Sequence, residues 1–395
     1  MQQPMTDPKA LAGLSVLALG TYRTDLHPRV AVLIDGLRRH GADVVEVNEP
    51  LPVDTAGKVR LLQRPWLAGA AAWQLVRCWA RLVRRGARLR GTGVDVVLVG
   101  YMGHFDVHLA RALFPRATLV LDQLVFARDT AVDRGSTRRW LLFLLGALDR
   151  AAVGRADVVV LDTEENRDLL PSAGARKAVV VPVGATDDWF AAGDRTPVGQ
   201  AGADGPAGAD GPAGLSVVFF GLFTPLQGAA TVARAAAELA TRPAAPRVRF
   251  TLVGRGQDLA EARHVAGGLS TVEWVEWVQG DRLPGLVAGH DVCLGIFGAT
   301  AKASRVVPTK VYQGAAAGCA VVTSRTPPQE RVLMDAAVFV PAADPGALAD
   351  ALERLAGSPE ALRAARARMR AVAVARFSTV EVTSTLAEVL RRPGA

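Results

Sequence analysis

The feature that most constrains the fold of this chain is a repeated alternation between short apolar runs and longer amphipathic segments. The apolar runs span 15–19, 43–47, 95–99, 118–122, 157–161 and 178–182 in the first half, and 216–220, 249–253, 272–275, 291–295, 319–323 and 337–341 in the second. Runs of this kind, separated by helical patterns, indicate parallel strands buried on both faces. Two such blocks predict an α/β fold with two doubly wound Rossmann-like domains facing a cleft, where ligands gather at the carboxyl ends of strands.

Chain length and one low-complexity segment set the expected domain boundaries. The 395 residues exceed what a single core usually holds. The sequence AGADGP occurs twice in succession over 201–212, and this composition predicts a linker or a surface loop. We expect an N-terminal Rossmann-like domain over 1–193, a Gly/Pro/Ala-rich linker or loop over 194–214, and a C-terminal Rossmann-like domain over 215–376. A helix over 377–395 is expected to brace the two domains.

Composition narrows the classes of partner. The net charge of +8 suits an anionic ligand such as a sugar nucleotide, or an acidic membrane face. No aromatic-basic platform or recognition-helix pattern accompanies it, so nucleic acid is not expected. The three cysteines are scattered, and no carboxylates or histidines stand at metal-ligand spacing. We therefore expect no disulfide, no metal and no cofactor. The N-terminus lacks the basic region of a secretion signal, so a cytoplasmic location is expected.

The first candidate binding segment is the glycine-bounded turn GLFTPLQG at 221–228. A strand, a glycine-rich loop and a helix together offer free backbone N–H groups and a helix dipole to a phosphate. An ordinary connection between a strand and a helix fits this fragment equally well. Gly254 and Gly256, on either side of Arg255, follow the next strand. Neither segment is a G-x-G-x-x-G fingerprint, which disfavours a nicotinamide dehydrogenase.

The second candidate segment lies at 298–318 and contains three cations. Lys302 and Arg305 precede a short helix predicted over 308–317, and Lys310 lies in its first turn. Pro308 marks the first helical position and a glycine follows the end. Cations at a helix N-terminus, where the dipole already favours negative charge, suit a diphosphate. A solvated basic loop that caps a helix is the alternative interpretation.

Together these segments resemble a known family. FFGLFTPLQG, FTLVGRGQ and VVPTKVYQGAAAGCAVVT resemble the nucleotide-binding domain of GT-B glycosyltransferases, specifically the retaining family four (group 1). LALGTYRTDLHPR and ADVVVLDTEEN resemble the acceptor domain, so the resemblance covers nearly the whole chain apart from the linker. It implies transfer of a sugar from a nucleoside-diphosphate sugar to an acceptor hydroxyl, with retention of configuration and without a metal. The acceptor would be a small molecule, a lipid-linked molecule or a polysaccharide.

The sequence departs from the family at four positions. Members commonly carry an arginine and a lysine where this chain has Leu222 and Gln227, and paired glutamates where it has Arg305 and Gln313. We expect the three cations of the second segment to replace the lost phosphate contacts, and Gln313 to bind the ribose hydroxyls. The departures also raise two alternatives, a catalytically silent sugar-nucleotide-binding subunit or sensor and a GT-B sugar-nucleotide epimerase.

The resemblance assigns three sets of site residues. The donor-binding set is Gly221, Phe223, Thr224, Gln227, Gly228, Gly254, Arg255, Gly256, Lys302, Arg305, Lys310, Val311 and Gln313. The catalytic set is Arg305, Lys310, His104 and Asp122. Family members often place a histidine near the sugar after the fourth strand, where this chain has Asp122, with His104 in the preceding loop. The acceptor-binding set, in the loop and helix after the first strand, is Gly20, Thr21, Tyr22, Arg23 and Arg29. For this last set a surface loop with a helix cap fits equally well.

A basic segment over 60–88 interleaves arginines with Trp66, Trp73 and Trp79. An amphipathic helix of this kind, with tryptophans among its arginines, is able to lie on an anionic membrane and bring the protein to a lipid-linked acceptor at the inner membrane face. A domain helix whose arginines extend into water is the simpler interpretation. Peripheral membrane contact therefore stands beside the cytoplasmic location as a second expectation.

Overall fold

A computed structural model describes residues 9–23, 28–51, 65–195, 214–242 and 247–391. The described chain forms two compact units. The first contains the described residues up to Thr130, Thr137–Pro182 and the chain from Val380 onward, and the second contains Ala131–Ser136 and Val183–Thr379. The expected linker over 194–214 lies mostly outside the described residues, as do Arg60 and Arg64 of the basic segment. The bounds of the four expected segments remain predictions.

The first unit contains a parallel sheet of six strands. They are β1 (Ser15–Gly20), β2 (Asp43–Asn48), β3 (Val96–Val99), β4 (Thr118–Asp122), β5 (Val158–Leu161) and β6 (Ala178–Val180). Their order in the sheet is β2-β1-β3-β4-β5-β6, and every neighbouring pair is parallel. All four residues of β3 and of β5 are buried, because helices cover both faces of the sheet.

The second unit contains another parallel sheet of six strands. They are β7 (Leu215–Leu222), β8 (Val248–Arg255), β9 (Val272–Val275), β10 (Val292–Leu294), β11 (Ala320–Ser324) and β12 (Val338–Val340). The order is β12-β11-β10-β7-β8-β9, again parallel throughout. Each predicted apolar run coincides with one of the twelve strands. The predicted α/β class with two doubly wound sheets is therefore confirmed.

Helices connect the strands, as the amphipathic segments predict. Along the first sheet they are α1 (Pro28–Arg39), α2 (Pro65–Ala87), α3 (Asp106–Leu113), α4 (Ala127–Asp133), α5 (Arg139–Arg155), α6 (Glu164–Arg167) and α7 (Ser172–Ala175). They continue as α8 (Asp187–Arg195), α9 (Ala229–Thr241), α10 (Leu259–Ala266), α11 (Leu283–Ala288), α12 (Thr309–Ala316), α13 (Pro327–Leu333), α14 (Pro345–Gly357), α15 (Pro359–Arg376) and α16 (Thr379–Arg391). A 3-10 turn spans Ala303–Arg305.

Apolar side chains of these elements form the cores of the two units. In the first unit one cluster lies on each face of the sheet, and α16 contributes Leu386, Ala387 and Leu390 to one of them. The last helix thus packs into the core of the first unit. In the second unit Phe219 of β7 and Phe250 of β8 lie in a large cluster with the alanine-rich face of α9. These cores fix the positions at which the strands end.

Helix α12 begins one residue later than predicted. Pro308 has φ −71° and ψ 147°, an extended conformation, and it serves as the N-cap rather than as the first helical residue. The small residues of the helix are explained by close packing on β10. A Cβ added to Gly314 would lie 2.4 Å from Sγ of Cys293. Gly318, which follows the helix, has φ +83° and ends it as expected.

Candidate functional site

The strand order of the second sheet marks where a ligand-binding crevice forms in that unit. From β7 the chain proceeds outward to β8 and β9, and it then returns to the other side of β7 with β10. Parallel sheets of this order bind ligands where the direction reverses, outside the carboxyl ends of the strands. The turn at 221–228 follows β7, and the segment at 295–308 follows β10. The two candidate segments of the sequence therefore meet at this point.

Direct contacts join these two segments. The N–H of Phe297 donates to the carbonyl of Gln227 at 3.1 Å, and the N–H of Gly298 donates to the carbonyl of Leu226 at 3.2 Å. The side chains of Leu226, Ile296 and Ala303 pack together beneath the loop. The basic 3-10 turn is thereby attached to the glycine-bounded turn through both hydrogen bonds and apolar contacts.

The glycine-bounded turn leads into the N-terminus of α9. Gly228 has φ +70°, a left-handed conformation that favours glycine. A side chain here would also collide with the neighbouring segment, since an added Cβ would lie 2.6 Å from the carbonyl carbon of Phe297. The carbonyl of Gly228 accepts hydrogen bonds from Thr231 and Val232, which closes the first turn of the helix. The positive end of the helix dipole thus lies at the loop.

The end of β8 lies equally close to this turn. Gly254 pairs with Gly221 in the sheet, and a Cβ on Gly254 would lie only 2.0 Å from the carbonyl oxygen of Gly221. The N–H of Phe223 donates to the carbonyl of Arg255 at 3.0 Å. The guanidinium of Arg255 lies over the ring of Trp277, 5.2 Å from its centroid, and that ring is half exposed. Backbone and a cation thus border the loop on this side.

Lys310 is the most unusual residue of the site. It lies in the first turn of α12 and is 5% exposed. Its Nζ is 3.7 Å from the centroid of the Phe219 ring. An added Cβ on Gly221 would lie 3.9 Å from the same nitrogen, so the ammonium group is beside the residue with which the β7 loop begins. Within the described part of the chain this nitrogen has no hydrogen-bond partner.

Burial governs the protonation of Lys310. Removal from water disfavours the charged form and lowers the pKa of Lys310 to about 7. Cys293 is a titratable neighbour, but burial raises the pKa of its thiol to about 12, so it is neutral at neutral pH. The Phe219 ring supplies a cation–π contact in place of a counter-anion. A buried cation held in this way is a site where an anionic ligand would be strongly favoured.

The other predicted donor-binding residues lie at or after the ends of β7, β8 and β10 and in α12. Lys302 and Arg305 are half-buried at the 3-10 turn, and Gln313 is buried one helical turn beyond Lys310. The Oε1 of Gln227 is buried and accepts no hydrogen bond from the described residues. Thr224, half-buried, and Gly256, exposed, lie in and beside the β7 turn, whereas Phe223 and Val311 are fully buried and serve packing. The binding roles of the set remain predictions.

The first unit has a switch point of its own, between β1 and β3. The loop after β1 contains Thr21, whose N–H and Oγ1 both donate to Oδ2 of Asp106 at 2.8 Å. The indole N–H of Trp79 donates to the other oxygen of that carboxylate at 2.8 Å. Asp106 therefore joins this loop, α3 and α2.

Other predicted acceptor-binding residues in this loop are also packed. Tyr22 is 3% exposed, and burial with the nearby Glu46 carboxylate raises its pKa. Gly20 is buried, and an added Cβ would lie 2.9 Å from the Tyr22 ring, whereas Arg23 is half-buried.

Arg29 and Asp122, two further predicted site residues, form a buried ion pair. Nε of Arg29 lies 2.8 Å from Oδ1 of Asp122, and the side chains are 2% and 0% exposed. The same guanidinium donates from Nη2 to the carbonyl of Val181 at 2.9 Å. Burial raises the pKa of Asp122, although the Arg29 charge opposes the shift. The pair connects α1 to the carboxyl end of β4.

His104 likewise has a partner inside the first unit. Its Nε2 lies 2.9 Å from Oδ1 of Asp149 and 3.1 Å from Nε2 of Gln123. The Asp149 carboxylate also accepts the backbone N–H groups of Ala127 and Arg128. His104 is 4% exposed and thus forms part of a buried network. A sugar contact by this residue remains a prediction.

The structure adds one residue that the sequence interpretation did not single out. The apolar run of β7 predicts that Phe219 is a core residue, and its side chain is fully buried. Its ring nevertheless contacts the Lys310 ammonium group. The pair lies 91 positions apart in sequence, and no local spacing rule signals such a contact. The order of the strands, which places β7 directly beside β10, would have been required to find it.

The described residues contain no cluster of three or more His, Cys, Asp or Glu side chains positioned to hold a metal ion. Among the same residues, no helix combines the length and the apolar character required to cross a bilayer.

A comparison with family models concerns the second unit. Residues 214–358, which span β7 to α14, match the family described as Glycosyl transferases group 1. This part of the chain is therefore a glycosyltransferase group 1 domain, and it contains both candidate segments. No curated protein sequence is similar enough to this chain to be matched.

Solved structures resemble the whole chain. Sucrose-phosphate synthase from Thermosynechococcus elongatus is 16% identical with a TM-score of 0.69, and the match covers 96% of this chain and 98% of that chain. Anabaena Alr3699/HepE in complex with UDP-glucose is 15% identical with a TM-score of 0.63 and coverages of 95% and 98%. Trehalose-6-phosphate synthase from Burkholderia multivorans is 15% identical with a TM-score of 0.63 and coverages of 96% and 98%. At these identities the likeness shows the fold alone, which is the predicted GT-B fold.

Proposed function

We propose that this protein transfers a sugar from a nucleoside-diphosphate sugar to an acceptor hydroxyl, with retention of configuration and without a metal ion. The proposal rests chiefly on the Lys310 ammonium group, which is buried beside Gly221 within the glycosyltransferase group 1 domain. A diphosphate bound at this loop is stabilised by a nearby cation. The loop itself carries Leu222 and Gln227 at the positions where basic residues are common in the retaining family four. Lys310 supplies the charge from another element.

Each group around the proposed donor site has a role in binding the nucleotide sugar. The diphosphate lies at the N-terminus of α9 and against Lys310, where the helix dipole and the cation favour negative charge. Lys302 and Arg305, at the adjoining 3-10 turn, add two further cations. Gln313 binds ribose hydroxyl groups through its side-chain amide. Complexes of Anabaena Alr3699/HepE with UDP and with UDP-glucose support a nucleotide sugar as the ligand of this fold.

The chemistry then requires little from the protein beyond charge and position. The bond between the anomeric carbon and the donor phosphate oxygen breaks, and a bond to the acceptor oxygen forms on the same face of the sugar. Negative charge grows on the leaving diphosphate, where a preplaced ammonium group stabilises it. The acceptor hydroxyl proton goes to the departing phosphate, so no protein base is needed. Arg305 and Lys310 are the catalytic residues of this scheme because both contact the diphosphate.

The first unit is proposed to bind the acceptor. The support is the set of side chains at the carboxyl ends of β1, β3 and β4. Since Arg29 and Asp122 form a buried ion pair, we assign them to holding this region in position. His104 belongs to the network of Asp149 in the same way. Nη1 of Arg29 and Oδ2 of Asp122 have no hydrogen-bond partner among the described residues. Arg23, which is half-buried in the loop after β1, is the member of the set that we assign to contact with the acceptor.

Thermal-shift screening of UDP, GDP, ADP and TDP sugars tests the proposal. One nucleotide series should raise the unfolding temperature, and Lys310→Met should abolish the rise. Lys177→Met provides a matched control, because Lys177 is a partly buried lysine of the first unit that donates to the carbonyl of Ala156. No stabilisation by any nucleotide, or equal stabilisation of the Lys310→Met protein, would contradict the proposed site.

A product assay with the stabilising donor separates the proposed function from its rivals. A glycosyltransferase forms a glycosylated acceptor with unchanged anomeric configuration. Release of free nucleoside diphosphate without any acceptor product would indicate an epimerase instead. Tight donor binding without turnover or hydrolysis, for any acceptor class, would indicate a silent sugar-nucleotide-binding subunit.

A further inference from the structure

Helix α5 exposes an apolar face that the core of the first unit does not use. Trp140, Phe143 and Leu144 are 62%, 68% and 54% exposed. Their spacing of three and four residues places them on one side of the helix. The opposite side of the helix packs into the core, since Ala152 and Val153 lie in a buried cluster of the first unit. Large exposed apolar side chains gathered on one helix indicate an interaction surface.

Arginines surround this apolar face. Arg138 and Arg139 are exposed at the N-terminal end of α5. Further along, an added Cβ on Gly146 would lie 3.2 Å from Cδ of Arg128 and 3.5 Å from Nη1 of Arg150, so both side chains flank the middle of the helix. The only acid within α5 is Asp149, which is buried. The face is therefore both apolar and positively charged.

Helix α2 presents a second face of the same kind. Trp73, Val76 and Val83 are 63%, 53% and 38% exposed, and they lie along one stripe of the helix. Arg77 and Arg84 are exposed beside that stripe. The helix contains no acidic residue over its whole length. Its buried side, by contrast, contributes to the core of the unit.

The two helices belong to one layer of the first unit. Both α2 and α5 pack against α3 on one face of the sheet, and side chains of all three lie in the same buried cluster. The exposed sides of α2 and α5 therefore flank α3 in one outward-facing layer. Tryptophan and phenylalanine beside arginine are the composition of surfaces that lie at a lipid–water interface.

We propose that this layer docks on the headgroup surface of an anionic phospholipid bilayer. The aromatic and leucine side chains enter the boundary between headgroups and acyl chains, while the arginines bind lipid phosphates. Charge complementarity favours this occupant over another protein surface, since α2 contains no acidic residue and the one acid of α5, Asp149, is buried. Such docking is peripheral. The vesicle test of this proposal contains neither donor nor acceptor, so its outcome is independent of the proposed function.

Vesicle flotation at low ionic strength tests the docking. The probes are vesicles of phosphatidylcholine alone and of phosphatidylcholine with phosphatidylglycerol. The full chain should bind the anionic vesicles at least about tenfold more tightly than the neutral ones, because each arginine near an anionic surface contributes about 1 kcal/mol. Added salt should weaken this binding.

Matched variants identify the surface. Trp140→Ser with Phe143→Ser should lower anionic-vesicle binding at least about tenfold, whereas Val374→Ser, which changes an exposed apolar residue of α15, should leave it unchanged. Arg138→Gln with Arg139→Gln should weaken binding to anionic vesicles only. Arg363→Gln with Arg368→Gln removes the same charge from exposed positions of α15 and is the control. Thermal unfolding of each variant checks that it folds.

Three outcomes would overturn the proposal. The first is absence of binding to anionic vesicles at low ionic strength. The second is equal binding by the α5 variants and their controls. The third is a wild-type chain that self-associates through this face, so that the α5 double variant becomes monomeric in size-exclusion chromatography while vesicle binding is unchanged.

Discussion

The Nζ of Lys310 lies 3.7 Å from the centroid of the Phe219 ring, in the interior of the second unit. The ring compensates part of the solvation that the ammonium group loses on burial, and Gly221 leaves the space beside it open. A buried lysine without an acidic partner destabilises a folded protein. Its presence at the end of β7 is explained if a ligand supplies the missing negative charge.

Replacement of Lys310 by methionine should stabilise the unliganded protein. The folded-state pKa of about 7 lies below the ordinary value of 10.5. The unfolded chain therefore binds the proton more tightly, and the stability of the wild type rises with pH between these two values. The stabilisation by Lys310→Met should be largest, a few kcal/mol, at pH 6.5, and it should shrink toward pH 10. Calorimetric unfolding at several pH values measures it. A gain that is the same at every pH would contradict the depressed pKa.

The Arg29–Asp122 ion pair should be essential for the stability of the first unit. Arg29→Leu leaves a buried carboxylate uncompensated, which should cost about 3–5 kcal/mol in the free energy of unfolding at pH 7. The loss should be smaller at pH 4.5, because the Asp122 pKa is already raised by burial and the carboxyl group can take up a proton. The double variant Arg29→Leu with Asp122→Leu should recover part of the stability, because the Arg29 charge also favours the buried Asp162 carboxylate, which the double variant leaves without that charge. Denaturant titration of the three proteins tests this. A double variant as unstable as the single one would exclude the ion-pair explanation.

Gly254 should tolerate no side chain. Its φ of +150° is strained for other residues, and an added Cβ would lie 2.0 Å from the carbonyl oxygen of Gly221. Gly254→Ala should therefore displace the β7 loop and lower the free energy of unfolding by at least about 2 kcal/mol. Gly280→Ala is the matched control, since an added Cβ there meets no atom within 4 Å. Thermal unfolding compares the two. Equal unfolding temperatures would show that the loop adjusts without cost.

The fold was predictable from the sequence because buried parallel strands leave a strong local pattern. The runs at 118–122 and 272–275 coincide with β4 and β9 residue for residue. The strand order was not predictable from local patterns, since it depends on packing between distant elements. For that reason the contact between Lys310 and Phe219 escaped the sequence interpretation. Contacts between residues distant in sequence were likewise not predicted in the first unit. There the partners of Arg29 and His104 are 93 and 45 positions away in sequence.

Which charged residues are exposed and which are buried could also not be predicted from the sequence. The sequence pattern does not distinguish the three cations Lys302, Arg305 and Lys310, which are all basic residues near the start of a helix. In the structure two of them are half-buried at the 3-10 turn, whereas Lys310 is buried. The difference arises because α12 packs against β10 and β11, and the Lys310 side chain points inward to Phe219 of β7. Helical spacing alone cannot state which side of a short helix faces a sheet.

Isothermal titration calorimetry of the stabilising nucleoside diphosphate at pH 7 and pH 9 tests the central claim most directly. If the diphosphate binds the Lys310 ammonium group, wild-type affinity should fall at least about tenfold between these pH values, because the unliganded lysine loses its proton above pH 7. The Lys177→Met protein should behave like the wild type, and Lys310→Met should bind weakly at both pH values. Equal affinity of the wild type and Lys310→Met at pH 7 would contradict the account.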